Sequence, residues 1–317
     1  MVEIIAELCQ NHNGDPHLLK EMLWSAAENG ADYAKMQIIF SEDLTFREGF
    51  ENGLVEDNTV QTIKRPYSSE YERLKKLDLD ISTYEMFIDE CLSAGIKPMA
   101  TIFTRDKIEM AKTIGFKEIK IASYDCASYK FISELKDSFD RLIISTGATF
   151  PNEIQKTTDI LKDYNFSLLH CVTMYPTPLE QLNLRKINFL KKYCNTIGFS
   201  DHTDLQKDNL TSCIIALWLG ADIIERHFTV LEPAKTKDGI VSLNPEKLKS
   251  LVELSQMNKD ELFELVKKID NYEKILGVEN PSLTHEELLN RDYYRGRFAS
   301  KIDGKIIYNW EDNELNS

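Results

Sequence analysis

The stretch DIIERHFTV, residues 222–230, opens as an apolar strand and then sets Glu225, Arg226 and His227 in its second half. Seven runs of similar character precede it: IIAEL, YAKMQII, KPMATIF, EIKIAS, LIISTG, SLLHCV and TIGFSDHT. Stretches with helical spacing lie between them, and strands alternating with helices describe a parallel sheet. Eight strand-helix units in 317 residues favour an α/β fold closed as a TIM-type (β/α)8 barrel over an open doubly wound sheet. No GxGxxG follows the first strand, which weakens a dinucleotide-binding reading.

The helices are punctuated as helices should be. HLLKEMLWSAAENG ends at Gly30, STYEMFIDECLSAG offers Ser82 and Glu85 as a capping box, and PNEIQKTTDILKD starts on Pro151. Between the second strand and Ser82 lies an acidic, aromatic insertion of roughly forty residues, far longer than an ordinary strand-to-helix loop. It leaves the C-terminal end of a strand, where barrel active sites are built, so it reads as a lid or substrate wall. After the eighth strand, residues 244–269 read as one closing helix starting at Asn244 and Pro245. Residues 1–272 are thus expected to form the barrel. Residues 273–317 form a tail too short for a complete second domain, docked on the barrel or on a neighbouring subunit.

A formal charge of -14 argues against a protein that binds by neutralising nucleic-acid phosphates. Cysteines 9, 91, 126, 171, 194 and 213 show no CxxC spacing and read as reduced, mostly buried thiols. Glu3, Glu7 and His12 interrupt any signal peptide, and CIIALWLGA is too short to span a bilayer. The expectation is a cytoplasmic protein with no membrane or nucleic-acid partner.

Chemistry gathers where the strands end. There lie Glu7, Lys35, Gln37, Thr101, Lys120, Ser123, Ser145, Thr173, Tyr175, Ser200, His202 and His227. A lysine within an apolar strand is costly to bury unless paired, so Lys35 and Lys120 are either surface residues or cations facing an anion. With the serines and Thr101 they suit a phosphate or carboxylate. His202 and His227 end neighbouring strands and can share one divalent ion, or serve as hydrogen-bonded or acid/base histidines; no cysteine partner is apparent. Glu7 can orient a metal-bound water, take a proton, or simply pair with Lys35. Asp238 lies on the loop after strand eight. His170 reads as a core histidine, His17 and His285 as surface residues, and Glu225 and Arg226 as an interior ion pair or supporting groups.

With these residues assembled, the chain resembles the sialic acid synthase family, through AELCQNHNGD, AKMQ, KIASYD, ISTGA, LLHCVTMYPTP, GFSDHT, ERHFT and KDGIVSLNP in order. The resemblance implies an enzyme that condenses phosphoenolpyruvate with an N-acylated hexosamine, and a homodimer. It implies Mn2+ or Mg2+ on His202 and His227, with Glu7 as the catalytic carboxylate. Lys35, Gln37, Thr101, Lys120, Ser123, Ser145 and Ser200 become the phosphoenolpyruvate cradle, and Tyr175 and Asp238 contacts to the amino sugar.

Three departures stand out. The family usually continues into a small antifreeze-like domain, whereas this chain stops just after RGRFASKIDGK; Thr173 stands where Asn is usual; and Tyr124-Asp125 replaces a Gly-Glu pair. The last two lie where the sugar should bind. Two other readings stay open on the residues alone: a different metal-dependent barrel aldolase or isomerase, and a non-catalytic barrel subunit.

Overall fold

A computed structural model describes residues 2–311; Met1 and residues 312–317, the outer ends of the expected barrel and tail, lie outside the described residues. The eight runs form strands β1 (Glu3–Cys9), β2 (Tyr33–Ile38), β3 (Lys97–Ile102), β4 (Glu118–Ile121), β5 (Arg141–Ser145), β6 (Phe166–Cys171), β7 (Ile197–Asp201) and β8 (Ile223–His227). Each pairs in parallel with the next and β8 returns to β1, closing the barrel. Helices including Pro16–Glu28, Ile81–Ala94, Pro151–Ile160 and Thr211–Trp218 connect the strands.

Alternate side chains point inward, and they do so in three layers. At the N-terminal end Glu3, Glu118 and Arg141 form ion pairs at 2.7 and 3.3 Å, with the Tyr33 hydroxyl donating to Glu118 at 2.9 Å. Above them Ile5, Tyr33, Met99, Ile143, Leu169 and Ile223 form an apolar plug. Burying one such aliphatic side chain stabilises the fold by about 1.5–3 kcal/mol before ordering entropy is set against it. Gly198 completes this layer, because a β-carbon there would come within 2.5 Å of the Ile223 carbonyl oxygen and the Leu169 side chain. One pleat further on, the inward positions turn polar again, and that third layer is the floor of the mouth.

Several boundaries differ from expectation. The cap of helix Ile81–Ala94 is Asp80, whose carboxylate accepts from the Thr83 amide at 2.8 Å; Ser82 instead donates to Asp80. The expected single closing helix is two, Pro245–Ser255 and Lys259–Val266, because Asn258 and Glu261 form a capping box that restarts the chain. Helix Pro151–Ile160 begins on Pro151 as expected, with Glu153 accepting from the Phe150 amide.

The insertion after β2 carries an exposed hairpin, Leu54–Glu56 with Thr59–Thr62, and helix Tyr67–Lys75. The tail packs against it. Arg297 pairs with Glu70, Leu44 bridges to Phe298, and Arg47 donates to the Tyr293 carbonyl at 2.5 Å. Helix His285–Tyr294 of the tail also reaches the barrel, where Asn290 donates to the Thr173 carbonyl at 2.8 Å. Among the described residues no helix is long and apolar enough to cross a membrane, and all six cysteines are free thiols.

Candidate active site

The third inward layer brings together nearly all the strand-end residues singled out above. Glu7, Lys35, Gln37, Thr101, Lys120, Ser123, Ser145, Tyr175, Ser200, His202 and His227 line one cavity, joined by Phe103, Tyr124, Cys171 and Glu225. Strand register explains the convergence. Glu7 lies opposite both Lys35 and His227, Gln37 opposite Thr101, Thr101 opposite Lys120, and Glu225 opposite Ser200.

Both lysines are buried, at 3% exposure. Lys35 contacts Glu7, donates to Thr101 Oγ1 at 3.1 Å and lies 3.5 Å from Glu225. Lys120 donates to Ser145 Oγ at 2.6 Å and lies 3.8 Å from the other Glu225 oxygen. Glu225 is therefore the shared counter-charge of the two cations, and it accepts from Ser200 Oγ at 2.7 Å. Burial pushes its carboxyl up, but Lys120 and Lys35 outweigh that and hold it at about 2. Burial brings Lys35 down to about 8, with Glu225 opposing the shift and Lys120 adding to it. Glu7, besides its contact with Lys35, accepts from Gln37 Nε2 at 3.0 Å.

Ser123 lies two residues beyond β4, at the start of a short 3-10 turn, and its hydroxyl accepts from the Gly147 amide at 3.2 Å. A β-carbon at 147 would lie 2.9 Å from that hydroxyl, so glycine is what permits the approach. This leaves the wall beside the lysines lined with hydroxyls. An anion with several oxygens, such as a phosphate, a carboxylate or both, suits such a surface.

The imidazoles occupy the other side. His202 and His227 have ring centroids 5.3 Å apart, and the half-exposed Tyr175 leans over His202 at 4.2 Å. Burial pulls both histidines down, His202 to about 3, so both are neutral and able to ligate near neutral pH. A ring centroid lies ~3 Å from an ion bound on its nitrogen, and the observed separation fits one shared ion. The expectation that no cysteine stands near these histidines is wrong. Cys9 Sγ donates to Asp238 Oδ2 at 3.1 Å, and one donor atom each from Cys9, His227 and Asp238 lies within 4.8 Å of the others. Asp238, expected to face the sugar, thus lies against a thiol and an imidazole.

The positions that depart from the family pattern also meet. The Tyr124 ring stacks on Tyr294 of the tail at 4.8 Å, and Asp125 accepts from Asn309 Nδ2 at 3.0 Å. Tyr124 Oη and Thr173 Oγ1 are both buried and lie within reach of each other. His170 is a core histidine as expected, its Nε2 2.6 Å from the Leu182 carbonyl, and His17 and His285 are exposed. Glu225, read as an interior ion pair or a supporting group, is paired inside the barrel with Lys35 and Lys120, whereas Arg226 faces outward to Asp201. Cys9, Phe103 and Cys171 escaped the sequence reading of the site, and the position of Cys9 depends on a break in strand register.

The chain is similar to known proteins along most of its length. Residues 22–257 match the model of the NeuB family. The N,N'-diacetyllegionaminic acid synthase of Legionella pneumophila is 32% identical over 310 residues, covering 95% of this chain and 83% of that protein. The pseudaminic acid synthase of Campylobacter jejuni serotype O:23/36 is 27% identical over 304 residues, covering 95% and 82%. Among solved structures, the N-acetylneuraminic acid synthetase of Leptospira borgpetersenii, in complex with citrate, superimposes with a TM-score of 0.69 at 27% identity, covering 92% of this chain and 90% of that one.

Proposed function

The chain belongs to the NeuB family, and from that premise we propose that it condenses phosphoenolpyruvate with an N-acylated hexosamine-type aldose to give a nonulosonic, sialic-acid-like acid and phosphate. One observation carries the reading: two buried lysines with a shared glutamate, ringed by hydroxyls, face a pair of buried imidazoles across one barrel mouth.

In this reading Lys35, Lys120, Gln37, Thr101, Ser123, Ser145 and Ser200 hold the carboxylate and phosphate of phosphoenolpyruvate. Fixing both groups aims the methylene carbon at the acceptor, where most of the rate advantage is positional. Tyr175 and Asp238 stand at the acceptor's side. His202 and His227 would hold a divalent ion, which when bound supplies Lewis acidity toward the aldehyde oxygen of the open-chain sugar. The donor set supports this, since the Nδ1 of His227 is buried without a hydrogen-bond partner among the described residues.

A carbon-carbon bond forms between the methylene carbon and the aldehyde carbon as the C=O π bond breaks, and the aldehyde oxygen becomes a hydroxyl by taking up, through Glu7, the proton that the added water loses. Water adds to the former enol carbon, whose bond to the phosphate oxygen then breaks. Glu7, held by Lys35 and Gln37, is placed to take the proton that this water loses. The resemblance supports Mn2+ or Mg2+ as the ion, a homodimer acting in the cytoplasm, and residues 1–272 as the catalytic barrel with 273–317 as its tail.

The test is phosphate release from phosphoenolpyruvate with a panel of N-acylated hexosamines, with and without divalent ion, and mass spectrometry of the product. We expect release only when sugar and ion are both present. Release that is indifferent to the sugar, or none with any sugar, defeats the reading. Phosphoenolpyruvate affinity unchanged in Lys120→Ala would remove the cradle from it.

A further inference from the structure

The last residue of β1 does something the rest of the strand does not. Cys9 has φ +50°, in the left-handed region that non-glycine residues adopt only under constraint, and the pairing of β1 with β2 slips between Glu7 and Cys9. The slip brings Cys9 Sγ to Asp238 Oδ2, across 229 positions of chain. Backbone strain of this kind persists where surrounding structure enforces it, and it clusters at functional sites.

A thiol donating to a carboxylate would be unremarkable in a core. It does not account for His227, which shares the cluster, is 7% exposed, and leaves Nδ1 without a partner among the described residues. Buried ring nitrogens are normally satisfied. A thiol, a carboxylate and a buried imidazole with donor atoms within 4.8 Å of one another form a ligand set for a transition metal.

We propose that the divalent ion of this chain is held through the thiolate of Cys9 together with the carboxylate of Asp238 and the imidazole of His227, with His202 adjoining from β7. The proposal rests on the reading of the mouth as metal-dependent and sharpens it. On binding, the S–H bond of Cys9 breaks, its proton leaves to solvent, and a sulfur-metal bond replaces it. A sulfur ligand selects for the borderline ions Zn2+, Fe2+ and Co2+ over Mg2+, which prefers an all-oxygen shell and keeps its water. Of the two ions implied by the family resemblance, Mg2+ becomes the poorer.

The experiment uses the full chain, stripped with a chelator and titrated with Co2+ in the absence of substrate. The wild type should show a thiolate-to-cobalt charge-transfer band in the near ultraviolet. Cys9→Ser should lose it while keeping the wild-type near-UV circular dichroism of the metal-free protein; should it not fold, His202→Ala provides the second arm and should retain the band with weaker binding. A hundredfold excess of Mg2+ should not displace Co2+ from the wild type. A wild type without the band, or a Cys9→Ser protein with an unchanged spectrum, overturns the proposal. If the band appears but no sugar elicits phosphate release, the condensation reading fails and the thiolate ligand stands. If phosphate is released with Mg2+ and no band forms with Co2+, the condensation reading stands and the thiolate ligand fails.

Discussion

The guanidinium of Arg226 lies against the carboxylate of Asp201 on the outer face of the barrel, and neither group is more than 1% exposed. Arg226 also donates to Thr203 Oγ1 at 3.1 Å, to the Thr203 carbonyl at 2.9 Å and to the Val241 carbonyl at 3.2 Å. It thereby ties β8 to the loop that begins with His202 and to the segment that follows Asp238. The buried pair positions both halves of the proposed metal centre without touching its contents. Arg226→Met leaves Asp201 buried and unpaired and should destabilise the chain by about 3–5 kcal/mol in urea unfolding. Adding Asp201→Asn should recover part of that loss, since the orphaned charge is then gone. Two single variants whose effects simply add would show that the pair is not coupled.

Lys35 gives the mouth a pH dependence. Its ammonium is brought down to about 8, chiefly by burial. The side chain is therefore cationic below that value and neutral above it. Phosphoenolpyruvate, as an anion, should bind progressively more weakly as pH rises beyond about 8, and the bound ligand should move the apparent midpoint upward by favouring the charged form. Binding calorimetry from pH 7 to 9.5 checks this. Lys35→Met should bind weakly throughout and lose that limb; a wild-type affinity flat over the range contradicts the assignment.

The strand count and alternation made much of this legible in advance. Along DIIERHFTV the two-residue period sends Glu225 and His227 to one face and Arg226 to the other, which is where they are found. What stayed hidden depends on competition or on distance in the chain. Asp80 and Ser82 are both good caps two residues apart, and Asp80 prevails because its carboxylate satisfies both the amide and the hydroxyl of Thr83. Asn258 sits inside an unbroken helical pattern, and only its pairing with Glu261 reveals the restart. The Cys9–Asp238 contact needs a bulge that no periodicity announces. The tail's docking through Tyr294 and Asn309 depends on partners at Tyr124 and Asp125, far upstream.

Asp125 predicts a stability change with a definite sign. Burial raises its carboxyl from 3.8 to about 6, against the lowering pull of Asn309 and Ser128. The folded state thus binds this proton more tightly than the unfolded one. Its contribution is most favourable below pH 3.8, declines as pH rises toward 6, and above 6 stands as a penalty of about 3 kcal/mol. Asp125→Asn should raise the urea midpoint at pH 7.5 and change it little near pH 4. A loss at both values would mean that the carboxylate is needed as an acceptor for Asn309.

Tyr294 should act on the acceptor alone. Its ring stacks on Tyr124, which lines the mouth, at 4.8 Å and 16°. Such a contact is worth about 0.5–1.5 kcal/mol, so Tyr294→Ala should raise the acceptor KM roughly threefold to tenfold. The phosphoenolpyruvate KM should not move, because Lys35 and Lys120 are held by Glu7, Thr101, Ser145 and Glu225 rather than by either tyrosine, and Tyr294→Phe should behave as wild type. Equal changes in both KM values would point to a general loosening of the tail.

Glu225 offers the sharpest test of the cradle because its charge is set against two cations at once. It lies 3.5 Å from Lys35 and 3.8 Å from Lys120, and they hold it ionised despite burial. In Glu225→Gln the two ammonium groups lose their common counter-charge, so the ligand-free protein should melt lower than wild type. An anion bound between the lysines restores what was removed. Phosphoenolpyruvate should therefore raise the melting temperature of Glu225→Gln by more than it raises that of wild type, since a ligand stabilises in proportion to its preference for the folded state. If the lysines do not grip the ligand, the variant's lower melting temperature remains but the shift on adding phosphoenolpyruvate is the same in both proteins.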